Sequence, residues 1–363
     1  MSPAWHAGRV DVTESIEIAD PRTEPEPFGW SDFRVRRRLH AVWDYALLTL
    51  EAWAARNPPL LVVVRDGARI VAGAAVLVCT PRLRRAYASV PRRGRRPVAP
   101  VWAEVYQPWL SGFPGVVFAD GLDDDARAAV LRRLERALAR YLGVATLGVF
   151  YRSVDADLAR ALGGRGRIVR QVDTVSVLHN TFTSREDWLA ALSKSRRMSV
   201  KRALKEVEGW VGRGQVVVRL GPARTDLDGG EVADLINRHR LERGIPALDV
   251  RSPLLSSYFH SFVRRSDVIT LTYRDSEERL LAVNTLLDHP QCLVKQHWAA
   301  RSLADGGLRN LLFDAYARAV DQLVGKGVAE LSAGRRPHDL KETLGFAGKP
   351  VYGVVVPRPV MGR

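Results

Sequence analysis

The sequence predicts an α/β fold with a mixed sheet, built twice in tandem, and three observations lead there. Short apolar runs alternate with amphipathic helical stretches along most of the 363 residues. The order of those elements in residues 30–182 returns in residues 183–363. The dipeptides Arg65-Asp66 and Arg274-Asp275 mark the same hairpin turn in each half. Identity between the halves is slight, so the repeat is one of element order.

In the first half, residues 1–29 form an acidic, proline-rich segment and predict an irregular lead-in. Asp11, Glu14, Glu17, Asp20, Glu24 and Glu26 fall there with Pro21, Pro25 and Pro27. Val35, Leu39, Val42, Ala46, Leu50 and Trp53 then recur at helical steps until Asn57-Pro58-Pro59 stops them. Leu60–Val64 and Ile70–Val78 read as a hairpin. A basic connection follows, with seven arginines from Arg82 to Arg96. An apolar segment, Val98–Phe118, is broken by prolines. Asp123-Asp124-Asp125 opens a helix with its stripe at Val130, Leu131, Leu134, Leu138 and Leu142, and Gly143 ends it. Ala145–Phe150, a short helix over Asp155–Leu162, and Val172–Leu178 complete this domain.

The second half opens with a basic helical segment from Asp187 to about Glu208, followed by the strand Gln215–Leu220. Glu231–Arg243 and Pro253–Val263 read as helices. Val268–Tyr273, Leu280–Leu287 and Cys292–Ala299 read as a three-stranded meander. Leu308, Leu311, Leu312, Ala315, Ala319 and Leu323 make the cleanest helical stripe. Val328–Leu331, a short helix at His338–Leu344, and Val351–Val356 finish the chain.

Composition limits the function. Fifty-five Lys+Arg against forty Asp+Glu leave a net charge of +15, a field suited to polyanions. Two cysteines, Cys79 and Cys292, exclude a disulfide framework and a cysteine-based zinc site, and they fit a reducing, cytoplasmic setting. No apolar run approaches the roughly 18–20 residues of a membrane span, and the N-terminus predicts no signal peptide. The histidines form no metal-ligand spacing, and no P-loop or Ser-His-Asp pattern occurs.

Two stretches carry a family resemblance. Leu192-Ser193-Lys194-Ser195-Arg196-Arg197-Met198-Ser199-Val200-Lys201-Arg202-Ala203 is similar to the basic helix that opens the second domain of the Fem-type aminoacyl-tRNA-dependent transferases. His338-Asp339-Leu340-Lys341-Glu342-Thr343-Leu344-Gly345-Phe346 resembles their C-terminal lysine segment, with Leu340 where an aromatic residue is frequent. This FemAB-like superfamily implies two tandem GNAT-like acyltransferase domains, and the likeness covers about residues 30–356. The long helical hairpin of some tRNA-charged ligases is absent, which favours a small-molecule or peptide acceptor of natural-product type over a cell-wall precursor. The resemblance implies that Lys341 stabilises the tetrahedral oxyanion. The plainer reading of Lys341 is a solvated lysine beside Glu342.

The residues themselves suggest further candidates. Lys194, Arg196, Arg197, Lys201, Arg202 and Lys205 place six cations in twelve residues, several along one helix face, as an RNA phosphate backbone requires. A solvated surface helix would look the same. Arg301, Gly306 and Gly307 lie before a helix, where a GNAT fold cradles the CoA pyrophosphate, but the spacing is degenerate and Asp305 opposes phosphate. Lys295, Gln296, His297 and Trp298 interrupt an apolar strand, and Asn284 interrupts its neighbour. Strict alternation puts His297 with Lys295 and Ala299 on one face, and Gln296 with Trp298 on the other. Asn284, Gln296 and Trp298 are candidate substrate contacts. His297 is a candidate general base, and Tyr352 a candidate proton donor to the leaving group. No permanently bound cofactor is expected. The co-substrate is expected to be aminoacyl-tRNA, which makes tRNA a partner, with acyl-CoA as the alternative donor. A non-catalytic RNA-binding protein on a decayed transferase fold is the remaining reading.

Overall fold

The computed structural model describes residues 15–54, 57, 59–80, 100–242, 254–335 and 338–363. The seven-arginine connection therefore lies outside the described residues. The first half comprises β1 (Ile16–Ala19), α1 (Trp30–Arg36), α2 (Tyr45–Ala54), β2 (Pro59–Asp66), β3 (Arg69–Cys79), β4 (Val101–Val105), β5 (Val116–Phe118), α3 (Asp124–Leu142), β6 (Thr146–Val154), α4 (Ala156–Leu162) and β7 (Ile168–His179). The second comprises α5 (Arg185–Ala191), α6 (Lys194–Gly212), β8 (Val216–Pro222), α7 (Gly229–Glu242), α8 (Ser256–Phe262), β9 (Val268–Asp275), β10 (Leu280–Leu287), β11 (Cys292–Ala300), α9 (Leu311–Gly325), β12 (Glu330–Ser332), α10 (His338–Glu342) and β13 (Ala347–Pro357).

Three local expectations are corrected. Residues 16–19 are not irregular: Ile16 and Ile18 alternate against the edge of β2, and Ile16 pairs with Val64. The helix expected over residues 35–53 is broken into α1, a 3-10 turn at Ala41–Trp43, and α2. Arg38 takes a left-handed φ of 49°, and the Trp30 indole donates to Trp43 O at 3.1 Å, folding the segment back on itself. The basic segment is likewise two helices. Leu192 is extended, and the Ser193 hydroxyl caps α6 by accepting from Arg196 N.

One sheet runs through both halves in the order β1-β2-β3-β4-β6-β13-β7-β12-β11-β10-β9-β8, with β5 beside β3. The pairs β4/β6 and β11/β12 are parallel, and the other pairs are antiparallel. β13 inserts between β6 and β7, and β7 in turn pairs with β12. Each half thus completes its sheet with the last strand of the other.

The faces follow from the apolar stripes. Val130, Leu134 and Leu138 of α3, with Leu158 of α4, cover one face of the first half. Trp188 of α5, Val200 of α6 and Tyr316 of α9 cover one face of the second. On the remaining side, Trp30, Phe33 and Leu48 of the first half share a single core with Ile236, Phe259 and Phe262 of the second. Aromatic and aliphatic burial of this kind contributes roughly 1.5–3 kcal/mol per large side chain. The seam between the halves is therefore part of the core.

Candidate active site

The site begins where two parallel strands part. β11 pairs with β12 only through Cys292–Val294 against Glu330–Ser332. Just beyond, Leu286 pairs with Lys295 and Thr285 with His297, so Gln296 is the extra residue of a bulge. A bulge reverses the side-chain parity that follows it. This corrects the alternation expected from sequence. Lys295 shares its face with Trp298, its Nζ lying 5.0 Å from that ring and 5.0 Å from the Tyr316 ring of α9. His297 turns to the opposite side, where its ring meets Phe259 of α8 at 5.1 Å and Trp109 at 5.6 Å.

Lys341 approaches from α10 and is 3% exposed. Its Nζ donates to Gly334 O at 3.1 Å and to Arg335 O. Burial pushes its pKa down to about 8, and Asp173 of β7 opposes that shift. Asp173 also pairs with Arg335 at 3.5 Å and His338 at 3.7 Å. The neighbouring Lys295 is pushed down to about 7, chiefly by burial and then by the charge of Lys341. Gly345 takes a φ of +88° and closes α10, and the Phe346 ring meets Tyr316 at 5.7 Å. The two lysines are thus held together through the Tyr316–Phe346 contact. Across the seam, Arg335 donates to Tyr106 Oη at 2.8 Å and to Ser111 Oγ at 3.2 Å.

The other expected residues are spread around this centre. Asn284 is 1% exposed and lies opposite Trp298. Neither atom of its amide has a hydrogen-bond partner among the described residues. Gln296 Nε2 donates to Trp109 O at 2.7 Å, closing the bulge against the first half. Trp109, Arg240, Lys295, Gln296 and His297 are among the residues that line a small cavity of about 70 Å³ there. Tyr352 is not brought to Lys341: it sits between Val154 and Gln171 and packs on the first-half core.

A groove of about 360 Å³ opens beside Trp298, Arg301, Leu308 and Asn310, at the start of α9. Gly306 and Gly307 serve the turn that precedes it. The Asp305 and Gly307 N–H groups donate to Ser302 O, and that of Gly306 to Leu303 O. A Cβ on Gly307 would lie 2.1 Å from Arg301 O. Arg301 Nε donates to Leu280 O at 2.8 Å.

On α6, Lys194, Lys201, Arg202 and Lys205 are exposed, while Arg196 and Arg197 are half-buried. Arg197 donates to Ala190 O at 3.0 Å, tying α6 to α5. The Trp188 indole on α5 donates to Leu344 O at 3.0 Å. The start of the basic helix is thereby anchored to the Lys341 segment.

Sequence reasoning did not single out Asp173 or Arg335, which no local pattern marks. Lys295 left a signal, a lysine inside an apolar strand run, and the face it occupies shows only once the bulge is known.

No family model matches the chain, and no curated protein matches it. Solved structures do. The C-terminal domain (DUF2156) of an Agrobacterium fabrum protein described as a lysylphosphatidylglycerol synthetase aligns with a TM-score of 0.57 at 10% identity, over 90% of each chain. L-PGS from Bacillus licheniformis aligns at 0.58 and 11% identity, over 94% of this chain and 98% of that one. FemX aligns at 0.51 and 11% identity, over 90% and 95%. Such low identity speaks for the fold alone: this chain has the tandem, GNAT-like acyltransferase fold found in Fem-like proteins.

Proposed function

We propose that the chain is an amide-forming aminoacyltransferase that moves an aminoacyl group from aminoacyl-tRNA to the amine of a small molecule or peptide. The observation that carries this reading is Lys341, a buried ammonium oriented by two backbone carbonyls at the open end of β11 and β12. A fixed positive charge in a water-poor site is what a developing oxyanion needs. The acceptor nitrogen attacks the ester carbonyl, the C–N bond forms, the C–O bond to the ribose breaks, and the departing oxygen takes a proton. The exposed cations of α6, anchored to the Lys341 segment through Trp188, supply a track for the donor's phosphates.

The acyl-CoA reading draws on the groove at the start of α9. Against it, the N–H groups of Asp305, Gly306 and Gly307 are spent within their own turn, and Arg301 Nε is committed to Leu280 O. The deciding experiment follows a labelled amino acid from a pool of charged tRNA into a mixture of amines. Ribonuclease added at the start should abolish the transfer. Transfer that survives ribonuclease and depends on acyl-CoA would refute the tRNA donor.

A further inference from the structure

We propose that Lys295 is the base that takes the proton from the acceptor amine as it attacks. This assignment rests on the transferase reading above, and it moves the role away from His297. The β11 bulge decides between the two residues. It aims Lys295 onto the face that holds Trp298, Tyr316 and the neighbouring Lys341, and turns His297 into the aromatic wall of Phe259 and Trp109. A base must come within hydrogen-bond reach of the attacking nitrogen, so it has to open onto the same site as the oxyanion donor. Lys295 lies beside Lys341, whereas the His297 ring packs on Phe259 and Trp109.

The surroundings of Lys295 fit a neutral amine. The residue is 8% exposed. No carboxylate or carbonyl among the described residues accepts from its Nζ, whose neighbours are two ring faces and a second lysine. An ammonium buried without an acceptor is costly, whereas a free amine loses little there. The groups facing it are uncharged Trp298 on its own strand, Tyr316 on α9 and the cation Lys341 on α10; Asp173 on β7 acts on Lys341. Lys341 has carbonyl acceptors and Asp173 to keep its proton, so one amine stays charged while its neighbour is ready to take a proton. On the adjoining strand, the unpartnered amide of Asn284 offers a donor and an acceptor to a bound substrate.

The step balances. The acceptor nitrogen bonds to the carbonyl carbon and sheds a proton to Lys295 Nζ. The C–O bond then breaks, and the departing ribose oxygen takes that proton, which restores the neutral amine.

The test compares Lys295→Arg, which keeps a long nitrogen-bearing side chain but is permanently protonated and cannot accept a proton, with Lys295→Met, which keeps length. Rates are measured from about pH 5.5 to pH 9 with charged tRNA and, separately, with acetyl-CoA. Both variants should lose about 100-fold or more in kcat with little change in KM, and should lose the rise in rate through neutral pH. Lys295→Met should melt no lower than the parent. In parallel, labelling of the unmodified protein with acetic anhydride, read lysine by lysine by mass spectrometry, should show Lys295 reacting with a midpoint near neutral pH. A Lys295→Arg variant with parental rate and pH profile would overturn the assignment, as would an ordinary lysine midpoint. If acetyl-CoA alone supports turnover, the tRNA reading falls and Lys295 is judged on that activity. Labelling needs neither donor.

Discussion

Replacing Lys341 by methionine removes the ammonium and keeps most of the side-chain volume. In the folded protein that ammonium serves Gly334 O and Arg335 O and lies beside Asp173. Hydrogen bonds from a charged group contribute about 1.5–3 kcal/mol each, and removing a buried charge returns part of that, so the net stability cost is about 1–3 kcal/mol. Asp173 keeps Arg335 and His338, so it is not left alone. Catalysis should suffer more. Losing a preorganised oxyanion donor costs about 10²–10³ in kcat, or about 2.7–4 kcal/mol. Single-turnover transfer from charged tRNA, run below the variant's melting temperature, reads the two effects apart. The pH dependence adds a second check. The folded pKa of Lys341 is depressed to about 8, so its ammonium is lost above that pH and the rate should fall there. Stability does not fall in that window, because between about 8 and the ordinary lysine range the unfolded chain binds the extra proton. Lys295 and Lys341 titrate as a pair, so the limbs near 7 and 8 belong to both. A methionine variant within about threefold of the parental rate would refute the oxyanion role, as would an alkaline loss of activity that tracks unfolding.

Three further outcomes follow. Lys201→Glu with Lys205→Glu, both exposed on α6, should weaken tRNA binding and flatten its salt dependence by about 0.7–0.9 per lost phosphate contact, measured by filter binding across a salt series; an unchanged slope removes α6 from the RNA interface. Glu51 is 5% exposed and burial raises its carboxyl to about 8, so its contribution is fully present below the ordinary carboxylate range and is lost as pH rises toward 8. Glu51→Gln should therefore flatten a fall of about 1.4 kcal/mol per pH unit, seen by urea unfolding at pH 5 and pH 7; parallel profiles would exclude it. Gly307→Ala puts a methyl 2.1 Å from Arg301 O and should lower Tm by several degrees whether or not substrate is present, whereas an unchanged Tm would mean the turn is not closed as described.

Much of the fold was legible because its signals are local. Asp123 accepts from Ala126 N and Gly143 ends α3 at a φ of +76°, as acid and glycine at those positions predict. The hairpins at Asp66-Gly67 and Asp275 follow the same logic. What stayed hidden is set at long range. The bulge at Gln296 has no composition of its own; it is held by Trp109 O, 187 residues earlier in the chain. The exchange of β7 and β13 leaves no mark either, since a strand reads the same whichever neighbours it joins. Lys341 is a candidate through the resemblance of its segment. Its companions Lys295, Asp173 and Arg335 come from β11, β7 and the loop after β12, which no spacing relates.

The two halves share an order of elements, yet among the described residues the proposed site lies in the second, and the surroundings of the parallel strand pairs differ. In the second half β11 and β12 part after Val294 and Ser332, leaving Lys295 at the open end. In the first half the corresponding pair, β4 and β6, parts after Val105 and Tyr151. That crevice is filled from within: Arg152 pairs with Glu104 at 3.0 Å and lies over the Tyr106 ring at 4.6 Å. Tyr106 in turn accepts from Arg335 of the second half, and the next turn supplies Ser111 and Trp109 to the same seam. The closed crevice of one half thus becomes a wall of the other's open one. The exchanged strands hold the two at fixed distance, because neither half can shift without breaking the β13 pairing with both β6 and β7. A site assembled across such a seam would take the orientation of its two lysines from paired strands and a short helix.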